Sequence, residues 1–512
     1  MKHLILLLVF ISFTTFGQST IVKIEDGQIE GMTNKAGDIL IFKGIPFAAS
    51  PVGNLRWKAP QPVAKWADVR KCVAFGPSPM QAKPAPFMYW SSEFLIPEEP
   101  ISEDCLYLNV WTGAKTPTEK RPVLVYIYGG GFRSGGSACP IYDGEAMAKK
   151  GVVFVSINYR VGVFGFLAHP ELTQESGYNA SGNYALLDMI AALKWVKNNV
   201  EAMGGDPANV TIAGQSAGAF AVNFLTASPL AKGLFQRAIA ESGGSFVSSP
   251  NRPKLVLQTA EQQGISFAKS LNASSLADLR SKSADDIQKV MGGLSSPIVD
   301  GYVMPESIYD IYKKGKQNDV SLIVGWNEDD KTMGQPAKAD AFREQVKKRF
   351  GDKADALLAI YPADTDEQAA QSQGNINRDE SFGIQDYTWA KMQTKTGKSP
   401  VFVYNFNRKL PANTPESQFG AFHSGEVAYA YNNLHTLNRP WEPVDHKLAD
   451  TMSSYWVNFV RTGNPNGTKL PNWPAYKPAS ENVLILDKTI QTKVLPTKPQ
   501  LAFWEDYYGV GK

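Results

Sequence analysis

The chain has 512 residues, of which 43% are hydrophobic and 20% charged, and its formal net charge is +3. That balance suits a globular protein with a large core, and the interspersed charges exclude a basic tract for nucleic acid. The only cysteines are Cys72, Cys105 and Cys139, too few for a disulfide scaffold. One bond could form, with Cys72 and Cys105 as the candidate pair and one thiol left over.

The first residues read as a targeting segment. Lys2 and His3 give a positive start, and Leu4 to Phe16 is an apolar run too short to span a bilayer with comfort. Thr15 and Gly17 are small residues at the two positions a signal peptidase inspects, so cleavage is expected near Gly17/Gln18. No Cys follows that point, and no later segment is long and apolar enough for a membrane helix. An exported chain, periplasmic or secreted, is expected. Its length would allow about three average domains. No linker composition divides it, however, so one domain over residues 18–512 is expected.

In chain order, Ile21 to Phe42 reads as short strands with Gly27, Gly31 and Gly37 at turns, an antiparallel extension of a larger sheet. Pro77 to Pro100 is a Pro-rich loop carrying Phe87, Tyr89, Trp90 and Phe94. Apolar runs follow at Val123–Tyr128, Val152–Ile157, Val210–Ala213, Ala238–Ala240, Leu322–Val324 and Val401–Phe406. They are continuous rather than alternating, which suits strands buried on both faces. Helix-period segments lie between them. The clearest is Tyr184 to Val200, with Leu186, Ile190, Leu193 and Val196 on one stripe and Asp188, Lys194 and Lys197 off it. Strands alternating with helices imply an α/β fold with a central, mostly parallel sheet covered on both faces. Lys409 to Gln418 is a second polar loop. Long loops in a compact domain are often lids or pocket rims.

Gly214-Gln215-Ser216-Ala217-Gly218 matches a nucleophile elbow. Alone the pentapeptide is a weak signal. Here it follows the run Val210–Ala213 and precedes the helix-like Ala219–Leu225, the strand–turn–helix setting such a serine needs. Gly129-Gly130-Gly131-Phe132 directly follows the strand Val123–Tyr128. Acyl transfer passes through an oxyanion, which needs backbone N–H groups free to approach it, and glycine permits that approach. Gly130, Gly131 and Ala217 are the candidate donors. A phosphate-cradling loop is the competing reading, but no Lys-Ser or Lys-Thr pair follows and the spacing is not that of a nucleotide fingerprint.

A serine nucleophile needs a base and an acid in the chain order Ser, acid, His. That order removes His169. His446 opens a helix-like segment and His435 sits in a polar turn, whereas His423 lies in a loop after the strand Val401–Phe406. The spacing therefore favours His423. The acid is expected at a strand end, where Leu322–Val324 leads to Glu328, Asp329 and Asp330. Charge alone does not choose among them.

These motifs resemble the type-B carboxylesterase family, which includes bacterial para-nitrobenzyl esterases and the cholinesterases. The stretches that carry the resemblance are Phe42–Ala48, Pro51–Arg56, Glu103–Val110, Asn158–Gly162 and Gly204–Pro207. The resemblance spans nearly the whole mature chain. It implies an α/β-hydrolase fold, a serine carboxylesterase acting through an acyl-enzyme, and a triad of Ser216, Asp330 and His423, with no metal or organic cofactor. The family's acid is usually Glu in the pattern Gly-x-Asn-x-Asp-Glu-Gly, and here Asp330 holds that position. The residue before the nucleophile is commonly Glu, and here it is Gln215, which argues against a cationic substrate. The family's usual loop disulfide joins the Cys105 position to a Cys near Met80 that this chain lacks.

The implied substrate is a neutral carboxylic ester of a small to medium alkyl or aryl alcohol. Phe132, Gln215, Trp90, Phe87 and Trp326 are candidate pocket residues. Two other readings compete. One is a narrow esterase for feruloyl or acetyl groups or a xenobiotic. The other is a non-catalytic, cholinesterase-like binding protein, against which stand competent residues at all triad positions.

Overall fold

The computed structural model describes residues 19–247, 255–290, 295–331, 334–414 and 418–510. The expected leader and its cleavage point lie outside the described residues, as does part of the Lys409–Gln418 loop. In chain order the first strands are Ile21–Ile24 (β1), Gly27–Glu30 (β2), Met32–Thr33 (β3), Leu40–Pro46 (β4), Val69–Lys71 (β5), Ser78–Pro79 (β6), Ile101–Ser102 (β7) and Tyr107–Thr112 (β8). Arg121–Ile127 (β9), Val153–Ile157 (β10), Gly205–Gln215 (β11) and Arg237–Glu241 (β12) follow. Ser321–Asn327 (β13), Val401–Phe406 (β14), Asn482–Leu486 (β15) and Gln491–Val494 (β16) come last.

One sheet of eleven strands has the order β16-β15-β14-β13-β12-β11-β9-β10-β8-β4-β3. From β15 to β10 every neighbour is parallel, and antiparallel strands finish both edges. Every residue of β10 and β14 is buried. Successive side chains of a strand point to opposite faces, so both faces of the sheet are covered there. The helices Tyr184–Asn199, Ala217–Ala227, Ile384–Thr396 and Pro443–Thr462 pack against it. The expected α/β architecture is present, with the six central runs read from sequence at β9 to β14.

One expectation needs correction, and the fold settles two points that the sequence leaves open. The stretch from Ile21 to Phe42 is divided between two sheets: β1 and β2 form a separate three-stranded sheet with β5, and only β3 and β4 extend the main one. The chain changes sheets at Gly31, where a Cβ would come within 2.6 Å of Ile41 O and of the Phe42 ring. Asp188, off the apolar stripe of its helix, does not face water. It is wholly buried and accepts both Nε (2.8 Å) and Nη2 (2.7 Å) of buried Arg160. A buried charge is tolerated when paired in this bidentate way. Finally, Cys72 and Cys105 are not bonded: all three cysteines are free and buried.

The resemblance-bearing stretches around Arg56 and Glu103 meet in a bidentate ion pair, Nε to Oε1 at 2.6 Å and Nη2 to Oε2 at 2.5 Å. Among the described residues no helix is long and apolar enough to cross a membrane.

Candidate active site

The parallel strands β9, β11, β13 and β14 deliver the candidate residues from their C-terminal ends, the edge where open α/β sheets place ligands. β11 ends at Gln215 and a helix starts at Ala217, so Ser216 must make the turn alone. It does so at φ +55° and ψ −126°, a conformation rarely adopted by a residue with a side chain. The flanking glycines are required by contact. A Cβ on Gly218 would lie 2.0 Å from Ile127 O, and one on Gly214 would lie 2.5 Å from Gly218. The turn is fixed to the neighbouring strand because Ser216 N–H donates to Glu241 O at 2.9 Å.

The glycine loop after β9 runs against this elbow. A Cβ on Gly129 would come within 3.0 Å of Ser216 Cβ, and Gly130 and Gly131 have φ of +114° and +63°. Among the described residues no protein acceptor is found for the N–H groups of Gly130, Gly131 or Ala217. Ala217 also opens the helix Ala217–Ala227, whose N-terminus favours negative charge.

His423 and Asp330 come together. His423 Nδ1 stands 2.5 Å from Asp330 Oδ1, and the second carboxylate oxygen accepts the Asn327 N–H at 3.0 Å. Asp330 has no exposed surface and His423 has 2%. The other two acids of the cluster serve the backbone and an ion pair instead of lying free in water. Asp329 Oδ2 accepts the Ala421 N–H at 2.9 Å, and Asp329 N–H donates to Ala421 O at 3.1 Å, so the acid loop is laced to the histidine loop. Glu328 Oε1 receives Arg378 Nη1 at 3.1 Å.

The imidazole of His423 has three further neighbours. Phe382 is stacked on it, with centroids 4.6 Å apart and planes at 18°. Trp90 meets it edge-on at 6.1 Å and 89°, and its Nε1 donates to Ser424 Oγ at 3.3 Å. Gln215 Nε2 stands 3.2 Å from His423 Nε2. With the Nδ1 proton given to Asp330, Nε2 carries the lone pair and the Gln215 amide donates to it. Among the described residues no hydrogen bond joins Ser216 Oγ to this ring.

The remaining sequence candidates divide. Phe132 is buried against Phe166, with ring centroids 5.3 Å apart. Phe87 is 57% exposed at the tip of the Pro77–Pro100 loop and packs on Trp90 at 4.6 Å. Tyr89 of the same loop stacks on Phe422, beside His423, at 4.8 Å. Trp326 is a correction: it lies on β13 with no exposed surface, so it belongs to the core and offers no wall to a pocket. Outside the site, His169 Nδ1 accepts the Glu171 N–H at 3.3 Å, and His435 and His446 are exposed.

The structure adds buried acids that the sequence reading missed. Glu241 accepts from Trp456 Nε1 at 2.7 Å and Tyr431 O–H at 3.2 Å, and Glu426 bonds Asn327 Nδ2. Loss of water around each pushes both carboxyls up to about 8, and for Glu426 the charges of Glu241 and Asp330 push the same way. Asp386 is also buried, with neither oxygen partnered by a described side chain, and burial raises it well above the carboxylate range. A signal existed for Glu241, the charged end of the apolar run Ala238–Ala240, and for Glu426, three residues after His423. Nothing local marks Phe382 or Asp386.

Sheet order, elbow and glycine loop together define an α/β-hydrolase. A family model described as the carboxylesterase family matches residues 18–504. A fumonisin B1 esterase of Sphingopyxis macrogoltabida is 36% identical over 486 residues, covering 89% of this chain and 84% of that protein. A para-nitrobenzyl esterase of Bacillus subtilis (strain 168) is 34% identical, covering 92% of this chain and 95% of that one. A solved PNB esterase structure superposes with a TM-score of 0.79 at 31% identity, covering 94% of this chain and 99% of that one. The chain belongs to the carboxylesterase family. It is a carboxylesterase, and its substrates are esters.

Proposed function

We propose that Ser216, His423 and Asp330 are the catalytic triad of this esterase, with Gly130, Gly131 and Ala217 as its oxyanion donors. The observation that carries the reading is the 2.5 Å contact between His423 Nδ1 and Asp330 Oδ1, two buried groups on laced loops beside the elbow. Asp330 fixes the tautomer that leaves Nε2 free to accept a proton. For reaction, Nε2 exchanges the Gln215 amide for the Ser216 hydroxyl. Ser216 Oγ attacks the ester carbonyl as its proton passes to Nε2. The carbonyl oxygen becomes an oxyanion held by the free N–H groups. His423 then protonates the leaving alcohol, and water repeats the sequence on the acyl-enzyme.

The substrate class we assign is neutral esters of small to medium alkyl or aryl alcohols. The neutral amide of Gln215 beside the ring supports it, since no carboxylate stands there to draw a cation. A narrower reading, one dedicated xenobiotic ester, is favoured by the 36% identical relative named for fumonisin B1. We also propose that residues 1–17 are a leader and that the exported domain begins at Gln18, which N-terminal sequencing of exported protein would show.

The test is Ser216→Ala, assayed with p-nitrophenyl esters of rising chain length beside methyl ferulate and acetylated xylan. Turnover is expected to fall on the order of 10⁴-fold or more. Near-native activity would overturn the nucleophile assignment. Activity of the unaltered enzyme confined to a single bulky ester would favour the narrower reading.

A further inference from the structure

The helical stretch from Asp366 to Thr396 is interrupted by a π-helical turn at Asp379–Gly383. Such a turn inserts an extra residue into a helix and frequently marks a functional site. Here it is held firmly. Arg378 Nε and Nη2 pair with both oxygens of Asp379 at 2.7 and 3.1 Å, and Tyr361 O–H donates to Asp379 Oδ2 at 2.8 Å. Arg378 Nη1 reaches across to Glu328 O at 3.0 Å. The π turn is thereby tied to the same loop that carries Asp330. The residue the turn presents is Phe382, whose ring lies flat against His423. Asp330 therefore fixes the imidazole along its edge and Phe382 covers a face, and Arg378 couples the two supports.

We propose that Phe382 is a positioning residue for the catalytic base, its ring holding the plane of His423 and favouring the imidazolium that forms when Ser216 gives up its proton. The proposal rests on the triad reading above. A face-on aromatic ring attracts a cation through its quadrupole, and the attraction is larger where water is excluded. Phe382 is 5% exposed and His423 2%. A leucine of comparable bulk would keep the apolar packing and lose the π face. Among the described residues the other titratable groups near the ring are Asp330 at Nδ1 and Glu426, a buried carboxyl on which a charged His423 would act. Neither is altered by substitution at Phe382, so a shift in the pH profile reports the ring itself.

The experiment compares Phe382→Leu, Phe382→Tyr and His423→Gln with the unaltered enzyme, using p-nitrophenyl acetate, a small substrate indifferent to pocket length. In Phe382→Leu the kcat is expected to fall about threefold with KM within about twofold, and the acid limb of kcat/KM to move down by about half a pH unit. The sign follows from the charge: without the π face the imidazolium is less favoured, so protonation requires a lower pH. Phe382→Tyr restores both values. If Phe382→Leu does not fold, Phe382→Met is read the same way. An acid limb that stays in place, or a Tyr variant as impaired as Leu, shows that Phe382 is core packing only and overturns the proposal. A change confined to KM shows a pocket wall and overturns it too. Full activity in His423→Gln would instead break the triad reading, which separates the two failures.

Discussion

Asp330→Asn replaces one oxygen by an NH2 group at almost no cost in volume, yet the surroundings of Asp330 leave the new group a single place to go. Oδ2 accepts the Asn327 backbone N–H at 3.0 Å and Oδ1 faces His423 Nδ1 at 2.5 Å. A backbone N–H is only ever a donor, so the carboxamide oxygen must remain on Asn327 and the NH2 must face the ring. Nδ1 then has to accept, and the imidazole proton moves to Nε2. That nitrogen can no longer take the Ser216 proton, and its N–H also meets the Gln215 amide nitrogen 3.2 Å away. A triad histidine locked in the wrong tautomer loses on the order of 10⁴ in kcat, about 5 kcal/mol of barrier. Asp329→Asn keeps an oxygen for the Ala421 N–H, and Glu328→Gln weakens one pair whose arginine retains Asp379. Each is expected to lose less than about tenfold, since partly exposed pairs contribute little. The assay is kcat for p-nitrophenyl acetate, with the urea midpoint of each variant as a check on folding. Less than a tenfold loss in Asp330→Asn, or an equal loss in Asp329→Asn, would refute the assignment of the acid.

Ser216→Gly should abolish activity while raising stability by about 1 kcal/mol, because glycine relieves the positive φ at the elbow; a lower urea midpoint would mean the turn carries no strain. Gln215→Glu places a carboxylate beside the imidazole, so the acid limb of the pH–rate profile should move to higher pH and choline-type esters should gain on their neutral isosteres; a limb moving to lower pH rejects the Gln215–His423 contact as a working one. Glu426→Gln tests the buried acids through stability. Burial pushes Glu426 up to about 8 in the fold, whereas in the unfolded chain it ionises near the ordinary Glu value. The stability it contributes is therefore complete below about pH 4.3 and lost as pH rises through about 8. Urea unfolding at pH 5 and pH 8.5 should show a loss in the unaltered protein that is smaller in Glu426→Gln by about 1 kcal/mol or more; parallel losses would falsify the neutral form.

The sheet was legible because its strands are continuous apolar runs, and burial on both faces is what makes them so. The elbow and glycine loop were legible because each backbone turn forbids a Cβ, and the contact that forbids it lies within a few residues or on the adjacent strand. Distance in sequence hid the rest. Asp188 reads as a polar position on an amphipathic helix until Arg160, 28 positions away, is folded against it. Trp326 is an aromatic next to the acidic cluster, and only strand pairing on both sides of β13 shows it to be core. In the sequence Gln215 is only an absent charge, whereas in the fold its amide occupies the histidine nitrogen. Phe382 stands 41 residues from the ring it covers and depends on a π turn that no composition announces.

Gln215 and the buried acids answer the same electrostatic demand. A base that accepts a proton and then returns it to the leaving alcohol must form an imidazolium that is stable but not trapped. One carboxylate at Nδ1 meets that need. Each further negative charge in a water-poor site would bind the imidazolium more tightly and slow the return of the proton. Yet Asp330 acts on the buried carboxyls of Glu426 and Asp386, Glu241 acts on Glu426 in turn, and all three are pushed upward by burial. Burial disfavours the charged form of each, so they supply hydrogen-bonding groups with little added charge. Gln215 does the same next to Nε2, by being an amide. Asp330 differs from these three in having both oxygens engaged, by the Asn327 N–H on one and His423 Nδ1 on the other. The proposed site is thus built around the carboxylate of Asp330, and the preference proposed for uncharged esters would follow from the same arrangement that keeps its base reversible.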